Sequence, residues 1–483
     1  MQVNLSRAAA NGLDADAVVI VEWENGKGLA DKLPAIYDSG EVTGEFLQFT
    51  LLHGVSGFAA HRVLLAGAGK REKFDAPGLA KLAGAAVRFL KGNGVKNVVF
   101  ALEDGLNGAE HIEAVARGVL LGAWEPDRLK SKKEPKTSEV ESVVLAAENA
   151  DPTLDAAIER GRVLGEAANL ARDISVEPPN VLNPSAMAER ARAMAEASGL
   201  EFEVLDQNRM RQLGMGALLG VAQGSAEPPV LMVIRYKPAG ASGSTHLGLV
   251  GKGVTFDTGG ISIKPAEGME KMKYDMAGGA AVIGAMQAIA RLKPPIAVTG
   301  FVPAVENMPG GKAQRPGDIV QSLSGKTVEI LNTDAEGRLI LADAISYAKQ
   351  LGCTHLVDAA TLTGAIVVAL GHVSTGVFTN DDQLAERWMH ASKQAGEKMW
   401  PMPVDDEYME QLKTVYADIQ NIGGRWGGAC TAAMFLKEFA GETPWIHLDI
   451  AGTAWLDDAK PWMAKGPTGL PVASFVTLAL NWK

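Results

Sequence analysis

The chain has 483 residues, of which 47% are hydrophobic and 21% are charged, and its formal net charge is −11. A chain of this length exceeds one ordinary domain, so we expect two domains with sizeable cores. The acidic balance disfavours nucleic-acid binding as the main role, because phosphate contacts need a basic surface.

The N-terminus and the cysteines indicate where the protein works. Residues 1–16 lack the basic stretch and apolar core of a secretory signal peptide, and no apolar run approaches the length of a membrane span. The chain has two cysteines, Cys353 and Cys430, and both lie in apolar segments. So few thiols in a long chain are typical of a reducing compartment. We therefore predict a cytoplasmic protein that does not enter a membrane.

The first part of the chain alternates between apolar strand-like runs and amphipathic helical segments. Such alternation predicts an α/β domain with a mainly parallel sheet, and we place this N-terminal domain at residues 1–152. The predicted strands are 17–22, 62–66, 97–102 and 142–147, and the predicted helices are 79–91 and 111–124.

A long helical segment follows, and the alternation then resumes. We predict a linking helix at residues 153–174 and a C-terminal domain at residues 175–483. A further helix is expected to begin after Asn183, since asparagine caps helices well and Pro184 suits the first turn. The remaining predicted strands are 202–205, 230–236, 246–250, 296–303, 355–359 and 446–450, and the remaining predicted helices are 277–292, 339–351, 382–395 and 430–439. The fold class is therefore α/β, with two domains that each contain a mainly parallel or mixed sheet flanked by helices.

The most informative segment is Leu331-Asn332-Thr333-Asp334-Ala335-Glu336-Gly337-Arg338-Leu339. An extended backbone here would direct Asp334, Glu336 and Arg338 to one face. Two acids and a cation crowded before a helix are costly unless they bind something. A divalent metal would offset the acids, and an anion would offset the arginine.

A second polar cluster lies upstream. Gly251-Lys252-Gly253-Val254-Thr255-Phe256-Asp257-Thr258-Gly259-Gly260 follows a predicted strand, at the edge where open α/β sheets bind ligands. Lys264 and Asp275 come next. We expect a glycine-rich turn in this segment, in which the glycines let the backbone approach a ligand closely. Taken alone, each motif has an ordinary interpretation: an exposed turn, a loop, or, for Asp275, a cap on the helix near residue 277.

Together the two clusters contain four acids and no histidine between Lys252 and Arg338. This composition argues for an oxygen-rich metal site and against a histidine-rich zinc site. Four carboxylates balance two divalent ions, and paired ions about 3.5–4 Å apart are a common device for activating water in hydrolases.

These motifs resemble those of the leucyl aminopeptidase family, the cytosolic dimetal aminopeptidases that form hexamers. The resemblance covers the chain well from about residue 151 onward. It implies a metal-dependent aminopeptidase that hydrolyses the N-terminal bond of peptide substrates and assembles as a homohexamer. It also implies a role for each motif residue: Asp257 and Glu336 as bridging metal ligands, Asp334 on one metal, Lys252 and Asp275 on the other, and Lys264 and Arg338 as catalytic cations.

The residue types agree with these roles. Lysine coordinates a metal only when it is neutral, and a neighbouring dication and burial both favour the neutral amine of Lys252. Two ions would share a bridging hydroxide as the nucleophile. We expect Lys264 to stay charged and stabilise the oxyanion. The resemblance gives Arg338 a bicarbonate ion as general base, and a guanidinium fork suits such a planar anion.

Six further residues are predicted to line the substrate pocket, because they lie in segments that do so in the family. An apolar pocket with a methionine at its rim favours leucine-like side chains, although apolar pockets discriminate weakly. The alternative is that Met272 and Leu362 are ordinary core residues. The predicted pocket residues are Met272, Asn332, Thr361, Leu362, Gly364 and Ala451.

The metals and the activity leave alternatives open. Carboxylate ligands accept manganese and magnesium, and an amine ligand suits zinc or manganese, so we predict two ions of Mn²⁺ or Zn²⁺ per chain with Mg²⁺ as the alternative. A carboxylate-rich site would also support a dimetal phosphoesterase. An additional DNA-binding or regulatory role, known for some bacterial relatives, is compatible with peptidase activity but is not expected from the charge.

Overall fold

The structure is a computed structural model that divides into two compact units. The first unit contains Met1–Asn169 and Asp457–Gly466, and the second contains Leu170–Leu456 and Pro467–Lys483. The division falls within a long helix, α4 (Leu154–Val176). The domain boundaries predicted at residues 152 and 174 stay predictions. The residues described are 1–26, 28–102, 105–131, 139–148, 150–238 and 245–482.

The first unit is built on one sheet with the strand order β1-β6-β5-β2-β4-β3. Its strand pairs are parallel except for the antiparallel pair β3–β4. Apolar β-branched runs form these strands, and the valines and isoleucine of β2 are buried. The strands are β1 (Gln2–Ser6), β2 (Ala17–Trp23), β3 (Phe49–His53), β4 (Arg62–Gly69), β5 (Asn97–Ala101) and β6 (Ser142–Ala146), and the helices are α1 (Pro34–Asp38), α2 (Ala76–Gly92) and α3 (Ala109–Ala123).

The second unit is built on a larger mixed sheet with the order β16-β15-β18-β14-β9-β11-β8-β7, and β10 pairs with the far end of β11. A smaller sheet has the order β12-β13-β17. The strands are β7 (Glu201–Leu205), β8 (Val230–Tyr236), β9 (His246–Gly251), β10 (Gly253–Asp257), β11 (Ala297–Asn307), β12 (Ile319–Gln321), β13 (Thr327–Glu329), β14 (His355–Ala360), β15 (Thr375–Thr379), β16 (Met399–Pro401), β17 (Ile419–Gln420) and β18 (Trp445–Asp449). Two-residue strands, β19 (Trp455–Leu456) and β20 (Gly466–Pro467), lie toward the C-terminus.

Helices cover this sheet and complete an apolar core. As predicted, Asn183 caps the first of them by accepting a hydrogen bond from Ala186 N. Buried aromatic and aliphatic side chains such as Phe301, Leu356 and Phe435 fill the space between sheet and helices. The helices are α5 (Pro184–Ser198), α6 (Gln207–Leu213), α7 (Gly216–Ala222), α8 (Ala277–Leu292), α9 (Gly337–Gln350), α10 (Gly364–Leu370), α11 (Asp382–Ala395), α12 (Gly428–Ala440) and α13 (Val472–Leu480).

The predicted α/β fold class with two domains is confirmed, and one local expectation is corrected. Residues 253–257 were expected to belong to a glycine-rich turn, but they form strand β10, which pairs in parallel with the end of β11. The pairs β9–β11, β9–β14 and β14–β18 are also parallel. The carboxyl ends of these strands therefore lie along one edge of the sheet. Among the described residues, no helix has the length and apolar character that a membrane crossing needs.

Candidate metal centre

The predicted metal-binding residues lie together at the carboxyl edge of the second unit's sheet. Lys252 lies between β9 and β10, and Asp257 ends β10. Asp275 follows a short 3₁₀ helix, Met269–Tyr274. Asp334 and Glu336 lie just before α9. Strand ends and a helix start thus bring together residues from four separate parts of the chain.

Lys252 is at the centre of one half of this cluster. Its Nζ lies 2.9 Å from Asp275 Oδ1 and 2.8 Å from Glu336 Oε1, and it donates a hydrogen bond to the main-chain oxygen of Thr361 at 2.9 Å. Gly337 makes room for this side chain, because a Cβ at that position would lie 2.8 Å from Lys252 Nζ. A larger residue at the start of α9 would therefore displace the Lys252 side chain from its place among the acids.

Asp275 is a member of the cluster and not a helix cap. The residue before α8 in the N-cap position is Met276, which makes no side-chain cap. Asp275 Oδ1 instead accepts a hydrogen bond from Thr361 Oγ1 at 2.7 Å, in addition to its contact with Lys252. The capping interpretation of Asp275 is therefore wrong.

Lys264 is at the centre of the other half. Its Nζ lies 2.8 Å from Asp257 Oδ2 and 2.5 Å from Asp334 Oδ1. The other oxygen of Asp257, Oδ1, accepts hydrogen bonds from Gly259 N and from Asn307 Nδ2, both at 2.8 Å. These donors fix the Asp257 carboxylate, so its Oδ2 is directed into the cluster.

The carboxylates converge closely enough to share an ion. One carboxylate oxygen from each of Asp257, Asp334 and Glu336 lies within 4.8 Å of the others. Asp275 Oδ2 is buried without a hydrogen-bond partner among the described residues, and Asp334 Oδ1 and Glu336 Oε1 contact lysine nitrogens without a hydrogen bond of normal geometry. Buried carboxylate oxygens that lack hydrogen bonds are expected where a cation binds.

The pKa values in the cluster reflect an excess of carboxylates over ammonium groups. Burial, together with the neighbouring Asp257, raises the pKa of Glu336 to about 8, and burial raises the pKa of Asp275 to about 6. Burial lowers the pKa of Lys252, but Asp275, Glu336 and Asp257 outweigh it and raise this pKa above the ordinary lysine value. Four carboxylates face two ammonium groups, so the site attracts further positive charge.

The segment that carries Asp334 and Glu336 is a turn, so the extended backbone that would place Asp334, Glu336 and Arg338 on one face is not what forms here. Thr333 and Asp334 lie in the turn, Glu336 has helical angles (φ −76°, ψ −35°), and α9 begins at Gly337. Asp334 and Glu336 meet because the chain turns between them. Arg338 consequently lies in the first turn of α9, and its contacts differ from those of the two acids.

Arg338 is buried and contacts a residue from a distant segment. Its Nη1 donates to the main-chain oxygen of Asn421 at 2.7 Å, and its Nε has no hydrogen-bond partner among the described residues. Burial lowers the pKa of Arg338 to about 10, opposed by the negative charges of Glu336 and Asp449. The guanidinium therefore stays charged near neutral pH and retains an unused donor.

The predicted pocket residues differ in how directly they hydrogen-bond to the cluster. Thr361 contacts both Lys252 and Asp275, and Asn332 Oδ1 accepts from Asp334 N at 2.8 Å. Leu362 and Ala451 are joined through Asp449 Oδ1, which accepts from both of their main-chain nitrogens at 3.2 Å. Met272 lies in the 3₁₀ helix three positions before Asp275, and its main-chain oxygen accepts from Asp275 N at 3.4 Å. Gly364, the first residue of α10, shows no hydrogen bond to the cluster within the part of the chain that the structure describes.

Four positioning residues were missed by the sequence analysis. Each is a buried polar residue that hydrogen-bonds to a loop of the site. Thr333 Oγ1 donates to Gly259 O at 2.7 Å, and Asn307 Nδ2 also donates to Thr333 O at 3.0 Å. A polar residue at the end of an apolar strand is the one signal that could have indicated Asn307 and Asp449. The four residues are Asn307, Thr333, Asn421 and Asp449.

Comparison with known families and structures agrees with this geometry. The family model described as the cytosol aminopeptidase family, catalytic domain, matches residues 169–476, and the model of that family's N-terminal domain matches residues 17–133. A protein of Solibacter usitatus named probable cytosol aminopeptidase is 58% identical to the chain, and one of Koribacter versatilis with the same name is 48% identical. Both alignments cover 100% of the chain and 100% of the relative.

Solved structures give the same result. A mutant of tomato leucine aminopeptidase superimposes with a TM-score of 0.91 at 34% identity, covering 100% of this chain and 97% of its own. The bottromycin maturation enzyme BotP, solved in complex with Mn, superimposes with a TM-score of 0.88 at 35% identity, covering 96% of this chain and 99% of its own. Both domains of one family are matched in order along the chain, and we conclude that the chain belongs to the cytosol aminopeptidase family and is an aminopeptidase.

Proposed function

We propose that this aminopeptidase works with two divalent metal ions held at the carboxyl edge of the second unit's sheet. The observation that carries the proposal is the convergence of three carboxylate oxygens, from Asp257, Asp334 and Glu336, within 4.8 Å of one another. Hydrolases commonly place paired ions on shared carboxylates of this kind. The proposed ligands are Lys252, Asp257, Asp275, Asp334 and Glu336.

The donor set fits such ions. The four carboxylates exceed the two lysine charges beside them, and Asp275 Oδ2 is a buried acceptor without a hydrogen-bond partner among the described residues. Oxygen donors with one amine suit Mn²⁺ or Zn²⁺, with Mg²⁺ as the alternative. The complex of BotP with Mn supports manganese as the first ion to test. When bound, the ions supply a water molecule whose pKa is lowered toward neutrality.

Lys252 and Lys264 have different tasks in this proposal. Lys252 is buried among acids, and it gives up a proton when its nitrogen becomes a ligand. Lys264 is less buried and lies against Asp257 and Asp334, with the neighbouring acids raising its pKa against the effect of burial. It therefore keeps its charge and is placed to stabilise the oxyanion that forms when the peptide carbonyl is attacked.

Arg338 is proposed to hold a bicarbonate ion that accepts the proton of the attacking water. The support is its charged, buried guanidinium with an unused Nε donor. One side of the fork is occupied by Asn421 O, so the remaining donors are available to a small planar anion. Omitting and restoring bicarbonate in CO₂-free buffer tests this role, and a rate independent of bicarbonate would contradict it.

We also propose a preference for leucine-like N-terminal residues. The predicted pocket combines the apolar side chains of Met272, Leu362 and Ala451 with the small Gly364. Leu362 and Ala451 are partly buried and pack against the core of the unit, and this packing restricts the movement of the pocket wall that they form. Turnover of a panel of aminoacyl anilides tests the preference, which predicts leucine and methionine above alanine and well above aspartate.

We propose that six chains assemble into the active form and that the enzyme works in the cytoplasm. Large apolar side chains on the second unit are strongly exposed, among them Val368 (90%), Val415 (89%) and Trp426 (76%). Contiguous apolar patches mark surfaces that bind a partner, and these side chains are the candidates for such a patch. Light scattering should give six chain masses, and a monomeric mass at micromolar concentration would contradict the proposal. Buried free thiols at Cys353 and Cys430 agree with a reducing compartment.

One experiment tests the metal site and the activity together. Metal content per chain and turnover of leucine anilide with added Mn²⁺ are measured for the wild type, for Asp334→Ala and for Asp31→Ala, an exposed aspartate of the other unit. We expect two ions per chain and high turnover for wild type and Asp31→Ala, with both reduced in Asp334→Ala. Full turnover in Asp334→Ala would refute the site. Cleavage of a phosphate ester but not of the anilide would favour a phosphoesterase.

A further inference from the structure

Asp449 is a buried carboxylate beside the proposed substrate pocket. It is the last residue of β18 and is 1% exposed. Its Oδ1 accepts from Leu362 N and from Ala451 N, each at 3.2 Å, and its Oδ2 accepts from Thr363 Oγ1 at 2.6 Å. A carboxylate placed so deeply is stable only because several donors replace water.

These donors belong to two segments that are far apart in the chain. Leu362 and Thr363 follow β14, whereas Ala451 follows β18, almost ninety residues later. Asp449 is thus the common acceptor for both walls of the proposed pocket. If its carboxylate were absent, the amides of Leu362 and Ala451 would each lose an acceptor and the walls would no longer share a fixed point.

Thr363 extends the effect of Asp449 to the next helix. Its hydroxyl donates its proton to Asp449 Oδ2, and the same oxygen accepts a hydrogen bond from Ile366 N at 3.1 Å, which caps α10. The bond to Asp449 therefore orients the hydroxyl so that its lone pairs face the helix. Gly364, a predicted pocket residue, begins this helix.

The other end of the same segment is fixed by the proposed metal ligands. The main-chain oxygen of Thr361 accepts from Lys252 Nζ at 2.9 Å, and Thr361 Oγ1 donates to Asp275 Oδ1 at 2.7 Å. The short stretch from Thr361 to Gly364 is consequently held between the metal cluster on one side and Asp449 on the other. The distance between the reacting centre and the pocket wall depends on both attachments.

We propose that Asp449 is a positioning residue that fixes residues 361–364 against Ala451 and thereby determines which N-terminal side chains the enzyme accepts. It does not touch the reacting atoms. The inference rests on the proposed function in one respect, namely that these segments form the substrate pocket. Loosening the wall should affect large and small side chains unequally, since a pocket discriminates by the fit of its walls.

The test compares three variants with the wild type. Asp449→Asn keeps the shape but replaces the Oδ2 acceptor with a donor, Thr363→Val removes the hydroxyl at similar volume, and Thr363→Ser restores it. The kcat and KM for leucine, methionine and alanine anilides and the metal content are measured. We expect Asp449→Asn and Thr363→Val to keep two ions per chain and to change the leucine-to-alanine ratio of kcat/KM by roughly five-fold or more, mainly through KM. Thr363→Ser should behave as the wild type.

Equal losses on all three substrates, or an unchanged ratio in both Asp449→Asn and Thr363→Val, would overturn the proposal. Hydrogen exchange supplies a readout that does not need catalysis, and it uses Asp449→Ala, which removes both acceptor oxygens: peptides covering 361–366 and 450–454 should both exchange several-fold faster than in the wild type, while those covering 331–338 should not. Unchanged exchange in either of the first two segments of Asp449→Ala would also contradict it. A wild type that cleaves no anilide would refute the proposed function separately, and the exchange data would still decide the role of Asp449. If Asp449→Asn fails to fold, Thr363→Val alone decides.

Discussion

Arg338 and Asn421 are joined by a hydrogen bond from the guanidinium Nη1 to the main-chain oxygen, 2.7 Å long. The side chain of Asn421 continues the connection, because its Oδ1 accepts from Leu331 N at 2.8 Å and its Nδ2 donates to Asn332 O at 2.7 Å. Asn421 is fully buried. One asparagine from outside the motif therefore fixes both the arginine and the loop that carries Asp334.

Replacing this side chain should reduce catalysis and stability together. In Asn421→Ala, Leu331 N and Asn332 O lose their partners, which costs about 1–3 kcal/mol, and we expect kcat to fall about ten-fold or more because the loop shifts. Asn380→Ala is a matched control, since Asn380 also bonds the main chain through its amide, to Gly441 O, Thr443 O and Trp445 N, at the opposite edge of the sheet. Steady-state kinetics and calorimetry on both variants check this. A control that loses kcat as strongly as Asn421→Ala would contradict the role.

Arg338→Lys should cost activity without costing metal. A lysine keeps the positive charge but lacks the planar fork, so it holds a bidentate anion poorly. We expect turnover of leucine anilide to fall about 100-fold, in the range seen when one oriented donor is removed from an active site, with two ions still bound. Arg315→Lys, an exposed arginine paired with Asp318, should leave both unchanged. Loss of both ions in Arg338→Lys would show that Arg338 supports the metal site instead.

Metal uptake should release protons, so metal affinity should fall as the pH falls. Burial lowers the pKa of Lys252, but nearby carboxylates outweigh it and raise this pKa, and Lys252 must lose its proton to act as a ligand. Burial also raises the pKa of Glu336, so any proton on this carboxyl is released as well when a metal binds. Calorimetric titration with Mn²⁺ in buffers of different ionisation enthalpy should give about one to two protons released per chain. Lys252→Met should release fewer. A proton count of zero in the wild type would be inconsistent with the lysine ligand.

Asp343 on α9 gives a pH-dependent prediction for stability. It is fully buried and accepts from Leu218 N at 2.8 Å and Leu323 N at 2.7 Å, and burial raises its pKa to about 7 from the model-peptide value of 3.8. A carboxyl whose pKa is higher in the folded state loses folding stability as the pH rises from about 4 to about 7. The melting temperature of the wild type should therefore fall relative to that of Asp343→Asn over this range. A difference that stays constant, or that grows in favour of the wild type, would contradict the assignment.

The sequence was informative where chemistry and pattern are local. Alternating apolar runs predicted about half of the strands and most of the helices that the structure describes, and the acids around Lys252 and Arg338 predicted the cluster that the structure brings together. The pattern was misleading just after Lys252. Glycines at 251 and 253 suggested a turn, whereas β10 gains its stability from pairing with β11, a contact that local propensity does not contain.

The positioning residues could not be predicted either, because their contacts also lie far away in the chain. Asn421 and Asp449 act on segments more than eighty residues away in the chain, and neither is part of a recognisable motif. Their importance depends on which loops the fold places beside them. The turn at Asp334 shows the same effect on a smaller scale, since Asn307, which also donates to Asp257, holds this loop from outside through a hydrogen bond to Thr333 O.

Crystals grown with Mn²⁺ and measured at the manganese absorption edge would show whether this cluster binds two metal ions. We predict two anomalous peaks about 3.5–4 Å apart, bounded by Lys252 Nζ and the carboxylates of Asp257, Asp275, Asp334 and Glu336, with Lys264 displaced from Asp257. A map with no peak among these residues, and with both lysines still paired to the acids as they are here, would contradict it.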